Sequence, residues 1–182
     1  MSKMKNKSEK LERFMYGLHK HITGNRQFRK NTNGKSEVQI QTEIRPLIVD
    51  YLKEWFKAEG VVDFEGKAHD SFYWEGQEGR NKDKRQGAFG AFNYPDFIIK
   101  KPYNIAVEYK QSPNGSIVKH GIGQSMLHTM TGEHDFVYFL FRDQSEDHKI
   151  VESVKKEEGV DKKELEIVDT LWRDFNVRLV II

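Results

Sequence analysis

The sequence predicts an α/β fold. Short apolar runs rich in β-branched and aromatic residues occur at 97–99, 105–107, 135–141 and 177–182, the pattern of buried strands. Apolar residues recur at helical spacing over 44–56 and again over 165–175. Turn chemistry at 100–104, where Pro102 fixes φ and Asn104 tolerates unusual backbone, joins the first two runs into a hairpin.

In chain order, Met1 to Lys10 is rich in lysine. Leu11, Phe14, Met15 and Leu18 then form one face of a helix, able to dock on the body or on a second subunit. Arg26, Arg29, Lys30 and Lys35 surround a Gly/Asn-rich connection. These features predict a basic helical arm over 1–35 docked on a main domain over 36–182. The next helix carries Ile44, Leu47, Ile48, Tyr51, Leu52, Trp55 and Phe56 on its apolar face, with Thr42 as N-cap and Pro46 in the first turn. Asp70 to Trp74 reads as a first strand. It is followed by a loop bearing Arg80, Lys82, Lys84 and Arg85. Phe97–Ile99 and Ile105–Val107 are the hairpin strands. Gln111 to Ser116 reads as a loop leading through Lys119 and Gly123 towards Gln124 and His128. Asp135–Phe141 reads as a buried strand, 146–158 as a charged surface helix, Glu164–Phe175 as an amphipathic helix and Val177–Ile182 as a last strand. An apolar terminus of that kind has to be buried in the sheet or against a partner.

Composition narrows the function. The 182 residues are enough for one domain with a real core. With no cysteine, the chain excludes disulfides, thiolate zinc sites and iron–sulfur clusters. No run is long enough to span a bilayer, and the basic N-terminus lacks the apolar stretch of a secretory signal, so the expected location is the cytoplasm. The net charge of +2 implies no globally basic surface. Basic residues are instead clustered. Arg26, Arg29, Lys30, Lys82, Lys84, Arg85 and Lys119 are the candidates for tracking a phosphate backbone.

The chemistry concentrates in YPDFIIKKPYNIAVEYK, residues 94–110. Asp96 opens the first hairpin strand and Glu108 lies near the end of the second, so the hairpin sets the two carboxylates side by side. Alternation along the strand puts Lys110 on the face of Glu108 and turns Tyr109 to the other. Two carboxylates and the Tyr109 carbonyl are hard oxygen donors suited to Mg²⁺, with Mn²⁺ able to substitute. Lys110 would then orient an attacking water or offset charge on phosphorus. The aromatics Phe89, Phe92 and Tyr94 flank these residues.

Pro95-Asp96 followed by Glu108-x-Lys110 resembles the PD-(D/E)XK nuclease superfamily, and the resemblance covers roughly Ser36 to Arg142. It implies a restriction-endonuclease-like central mixed β-sheet flanked by helices. It also implies a Mg²⁺-dependent DNA nuclease, foremost an endonuclease of restriction or defence type, working as a dimer where both strands are cut. A repair or recombination nuclease, such as a junction resolvase, is the alternative. A non-catalytic DNA-binding or complex-forming module on the same scaffold is the second. The superfamily places an acid on the helix before the sheet, for which Glu43 is the first candidate, directly or through water, and Glu37 the competitor. Some branches carry Gln-x-x-x-Tyr after the lysine strand. Gln124 matches the glutamine, and His128 stands where those branches have tyrosine.

Overall fold

The computed structural model describes residues 8–26, 28, 34–75, 77, 86–88, 91–155 and 163–182, with 86–88 and 91–93 described through their backbone. Helix α1 (Glu9–Gly24) starts at Ser8, whose hydroxyl accepts from the Leu11 amide. It is followed by α2 (Glu37–Ala58), α3 (Phe64–Ser71), strand β1 (Phe72–Trp74) and the short ladder of β2 (Gln86–Ala88) with β3 (Ala91–Asn93). Strands β4 (Phe97–Ile99) and β5 (Ile105–Ser112) lead into α4 (Gly115–Met130). Strand β6 (Phe136–Asp143), α5 (Lys149–Ser153), α6 (Lys163–Phe175) and β7 (Val177–Ile181) complete the order.

The molecule is α/β, with a five-stranded mixed sheet in the order β1-β4-β5-β6-β7. The first three strands are antiparallel, and β5, β6 and β7 run parallel. Parallel neighbours need crossovers, which α4 supplies between β5 and β6 and α6 between β6 and β7. Both faces of the sheet are covered, and for that reason its strands read as continuous apolar runs. Ile105, Val107, Tyr109, Tyr138 and Leu140 face a core shared with Phe14, Leu18 and Ile22 of α1 and Ile44, Ile48 and Leu52 of α2. Ala106, Val137, Phe139, Phe141 and Leu179 face the opposite way, towards Val118 of α4 and Leu171 of α6. Helix α1 is therefore built into the main core. Trp172 of α6 also reaches round to it, donating from Nε1 to Glu12 Oε1 at 2.8 Å.

Several boundaries differ from the sequence reading, each for a local reason. Helix α2 begins at Ser36, six residues before Thr42. The Ser36 hydroxyl accepts from the Gln39 amide, and the Gln39 side chain accepts from the Ser36 amide, a reciprocal capping box. Thr42 lies inside the helix and donates its hydroxyl back to the Val38 carbonyl at 2.9 Å. Pro46 sits in the helix interior and not in its first turn. Asp70 and Ser71 end α3, so the first strand starts at Phe72. Gln111 and Ser112 continue β5 because the parallel ladder with β6 holds as far as Ser112↔Asp143. The helix read over 146–158 is confined to Lys149–Ser153 among the described residues. A 3-10 turn precedes it, and Asp143 accepts from the Ile150 and Val151 amides.

Candidate active site

The hairpin strands pair as Phe97↔Val107, Ile98↔Ala106 and Ile99↔Ile105, joined through 100–104. Continuing that register by one residue sets Asp96 opposite Glu108. Asp96 is 7% exposed and Glu108 3%, so both carboxylates are withdrawn from water. Asp96 Oδ2 accepts from the Tyr109 amide at 2.7 Å. A strand residue's N–H and C=O point to the same edge. The Tyr109 carbonyl therefore faces the Asp96 side, one step past the last β4–β5 rung. The Tyr109 ring lies on the opposite face of the sheet, where its hydroxyl donates to Gln111 Oε1 at 2.9 Å.

Lys110 shares the Glu108 face and donates from Nζ to Glu37 Oε1 at 2.9 Å. The structure places Glu37, and not Glu43, beside the lysine. The cause is the early start of α2. Glu37 is its first residue, and Glu43 is six positions further on, about 240° round the helix by the usual 100° per residue. The Glu43 carboxylate pairs instead with Lys35. A further link fixes the helix start against the strand: Gln111 Nε2 donates to the Lys35 carbonyl at 2.7 Å. Sequence reasoning passed over this tie, since a strand glutamine and a loop carbonyl carry no joint pattern.

The electrostatics follow from the burial. Desolvation, then the neighbouring Glu108 charge, push the Asp96 carboxyl up to about 7, against smaller opposing pulls from Lys110 and the Tyr109 amide. Burial alone would lower Lys110, but the carboxylates of Asp96, Glu37 and Glu108 outweigh it and hold its pKa above the ordinary lysine value. Lys110 is thus a fixed cation at neutral pH and no proton acceptor. The Lys110 and Glu37 side chains keep 21% and 33% of their surface, so the cluster opens to solvent on their side.

On the other flank stands α4. Gly121 lies so close to the sheet that a Cβ there would be 2.3 Å from Phe139 Cζ. Phe139 is the cross-strand partner of Glu108. Two helical turns beyond Gly121 on the same side, His128 is fully buried, with Nε2 2.6 Å from Glu108 Oε1. Behind it His134 packs edge-on, ring centroids 6.0 Å apart, and donates from Nδ1 to Asn104 Oδ1 at 3.1 Å. Sequence reasoning gave His128 no role. Its signal was the spacing of four from Gln124. Gln124 itself is half-buried, and its Oε1 has no hydrogen-bond partner among the described residues.

The remaining candidates are dispersed. Lys119 is exposed on α4, half a turn round the helix from His128, beside the cleft between α4 and α5. Arg26 is exposed just after α1. Arg29, Lys30, Lys82, Lys84, Arg85 and Phe89 lie outside the described residues, as do the side chain of Phe92 and the lysine-rich residues 1–7. Tyr94 is half-buried.

Three hard oxygens, from Asp96, Glu108 and the Tyr109 carbonyl, suit Mg²⁺ or Mn²⁺ in kind. Among the described residues, no group of three His, Cys, Asp or Glu side chains stands in ligand geometry, and Glu37 is engaged by Lys110. The fit therefore rests on two carboxylates and a carbonyl, leaving the other positions to water and substrate, as that cation's reluctance to shed water allows. Comparison with models of known protein families, with curated proteins and with solved structures finds no match to this chain.

Proposed function

We propose that this protein is a Mg²⁺-dependent DNA nuclease with a restriction-endonuclease-like arrangement of its sheet, an endonuclease of restriction or defence type. One observation supports the reading most. Two buried carboxylates meet at the junction of β4 and β5, with a permanently charged lysine and a helix-borne acid closing the solvent side. Carboxylates withdrawn from water without full compensation are costly in a purely structural role, and such costs concentrate at functional sites.

Asp96 and Glu108 would hold the cation with the Tyr109 carbonyl. The cation would supply Lewis acidity, polarising a phosphoryl oxygen and making water a better nucleophile near neutral pH. The chain's own residues do the rest. Asp96 would have to be ionised to hold a cation, and its carboxyl, held up to about 7, is half protonated at neutral pH. Lys110, still charged, donates to an oxygen of the scissile phosphate or to the attacking water. Glu37 accepts from the ammonium and fixes its direction. DNA is the expected partner, the cytoplasm the expected place of action, and a homodimer the arrangement suited to a double-strand break.

The test is a panel of labelled duplex, forked, four-way and single-stranded DNAs incubated with the protein and Mg²⁺ or Mn²⁺. Cutting of plain duplex supports the restriction reading. Cutting confined to four-way or forked DNA moves the protein to repair or recombination. Tight binding with no cutting under either metal overturns the enzyme and leaves a DNA-binding module.

A further inference from the structure

We infer that His128 is a positioning residue that orients Glu108 by donating from Nε2 to Oε1, so that Oε2 is the oxygen left to face Asp96 and the proposed cation. The inference rests on the nuclease reading and assigns the same site a further part. A carboxylate on a strand rotates about its own side-chain bonds, and a hard cation selects one orientation. In a buried site, a single charge-assisted hydrogen bond at 2.6 Å is enough to select it.

Three features argue that this contact is built and not incidental. His128 is completely buried, so no water competes for its ring. Its neighbour His134 is itself directed: the Asn104 amide donates to the Glu133 carbonyl, which leaves Oδ1 to accept from His134 Nδ1. Burial, then the adjacent His128, hold His134 down to about 4, so it stays neutral and adds no second charge behind the ring. Finally, the absence of a side chain at Gly121 lets the helix come close to the sheet. Gly121 rests on Phe139, and Phe139 sits beside Glu108 in the ladder, so the same approach that seats Gly121 delivers His128 to the carboxylate.

The experiment compares His128→Met with His128→Gln. The two side chains have similar length, and only glutamine ends in a donor. Mn²⁺ affinity is read by titration calorimetry, alongside DNA cleavage and thermal melting without metal. We expect His128→Met to weaken Mn²⁺ binding by ~10–100-fold, the usual cost of losing a partner that orients a ligand, and His128→Gln to restore it to within about threefold. A folded His128→Met that binds Mn²⁺ like wild type overturns the inference while leaving the nuclease reading intact. A wild type that neither binds Mn²⁺ nor cuts DNA overturns that reading, and the inference with it. An imidazole ¹H–¹⁵N spectrum of wild type tests the same point without any substitution. It is expected to show His128 protonated at Nε2, and a bare Nε2 refutes the assignment.

Discussion

Asp96→Asn separates the cost of the site from its use. Asparagine keeps the shape and an oxygen to accept from the Tyr109 amide, and removes only the charge. In the folded chain the Asp96 carboxyl is pushed up to about 7, chiefly by burial and then by Glu108. In the unfolded chain it titrates near ~3.9. Between those values the folded chain holds a proton that the unfolded chain has lost. Stability from this group therefore falls as pH rises from about 4 to about 7, and it is lowest above that. The full displacement corresponds to on the order of 4 kcal/mol at 1.36 kcal/mol per pH unit. Burial, the larger cause, acts on the charged carboxylate alone, while the Glu108 side chain stays beside the new amide, so a gain of about 2–4 kcal/mol at pH 8 is the expected range. For a chain of this size that amounts to roughly 5–15 °C in Tm. The assay is thermal melting of wild type and Asp96→Asn in chelator, from about pH 4, near the unfolded-chain value, to about pH 8. The variant should melt with wild type at the acid end and well above it at the alkaline end. Millimolar Mg²⁺ should close the alkaline gap by stabilising wild type alone, because a ligand bound only by the folded state raises its stability. A gap that does not depend on pH, or a variant less stable than wild type at pH 8, would refute the reasoning.

Three further outcomes follow from the same contacts. Lys110→Ala should lower plasmid nicking by ~10²-fold or more with either metal; its ion pair with Glu37, partly open to solvent, limits the change in chelator melting to about 1 kcal/mol, and equal nicking by both proteins would remove the lysine from the mechanism. Glu37→Gln should slow cleavage by ~10-fold through loss of the charge beside Lys110, whereas Glu43→Gln, whose partner is Lys35, should stay within about twofold; the opposite ranking in a single-turnover assay would return the helix-acid role to Glu43. Gly121→Ala must displace either Phe139 or the helix, since the added Cβ would meet Phe139 Cζ at 2.3 Å; chemical denaturation should show a loss of about 1–3 kcal/mol, and no loss would mean that α4 has room to spare.

The strand half of the site was legible because its code is local. Two apolar runs, a turn and a period of two are enough to set Asp96 against Glu108 and to put Lys110 on the Glu108 face, and the observed register agrees. The helical half was not, because its code is competitive. Ser36 and Thr42 are both good caps, and each is followed by a glutamate, Glu37 or Glu43. What decides between them is Gln39, three residues after Ser36, which completes a capping box and adds a bond that Thr42 has no partner to match. Those six residues of helix change which acid meets the lysine.

His128 was illegible for a different reason. Within α4 only its spacing of four from Gln124 marks it, because the helix is weakly amphipathic and one polar residue among several carries no address. The address is written jointly in Gly121 and Phe139. A missing side chain on the helix and a large one on the strand fix the depth of approach, and the seven-residue spacing then carries His128 to Glu108. The buried carboxylate thus depends on packing contacts far apart in sequence. A substitution at Gly121 should be felt at Glu108 through the position of a helix, with no change in any group that touches the phosphate.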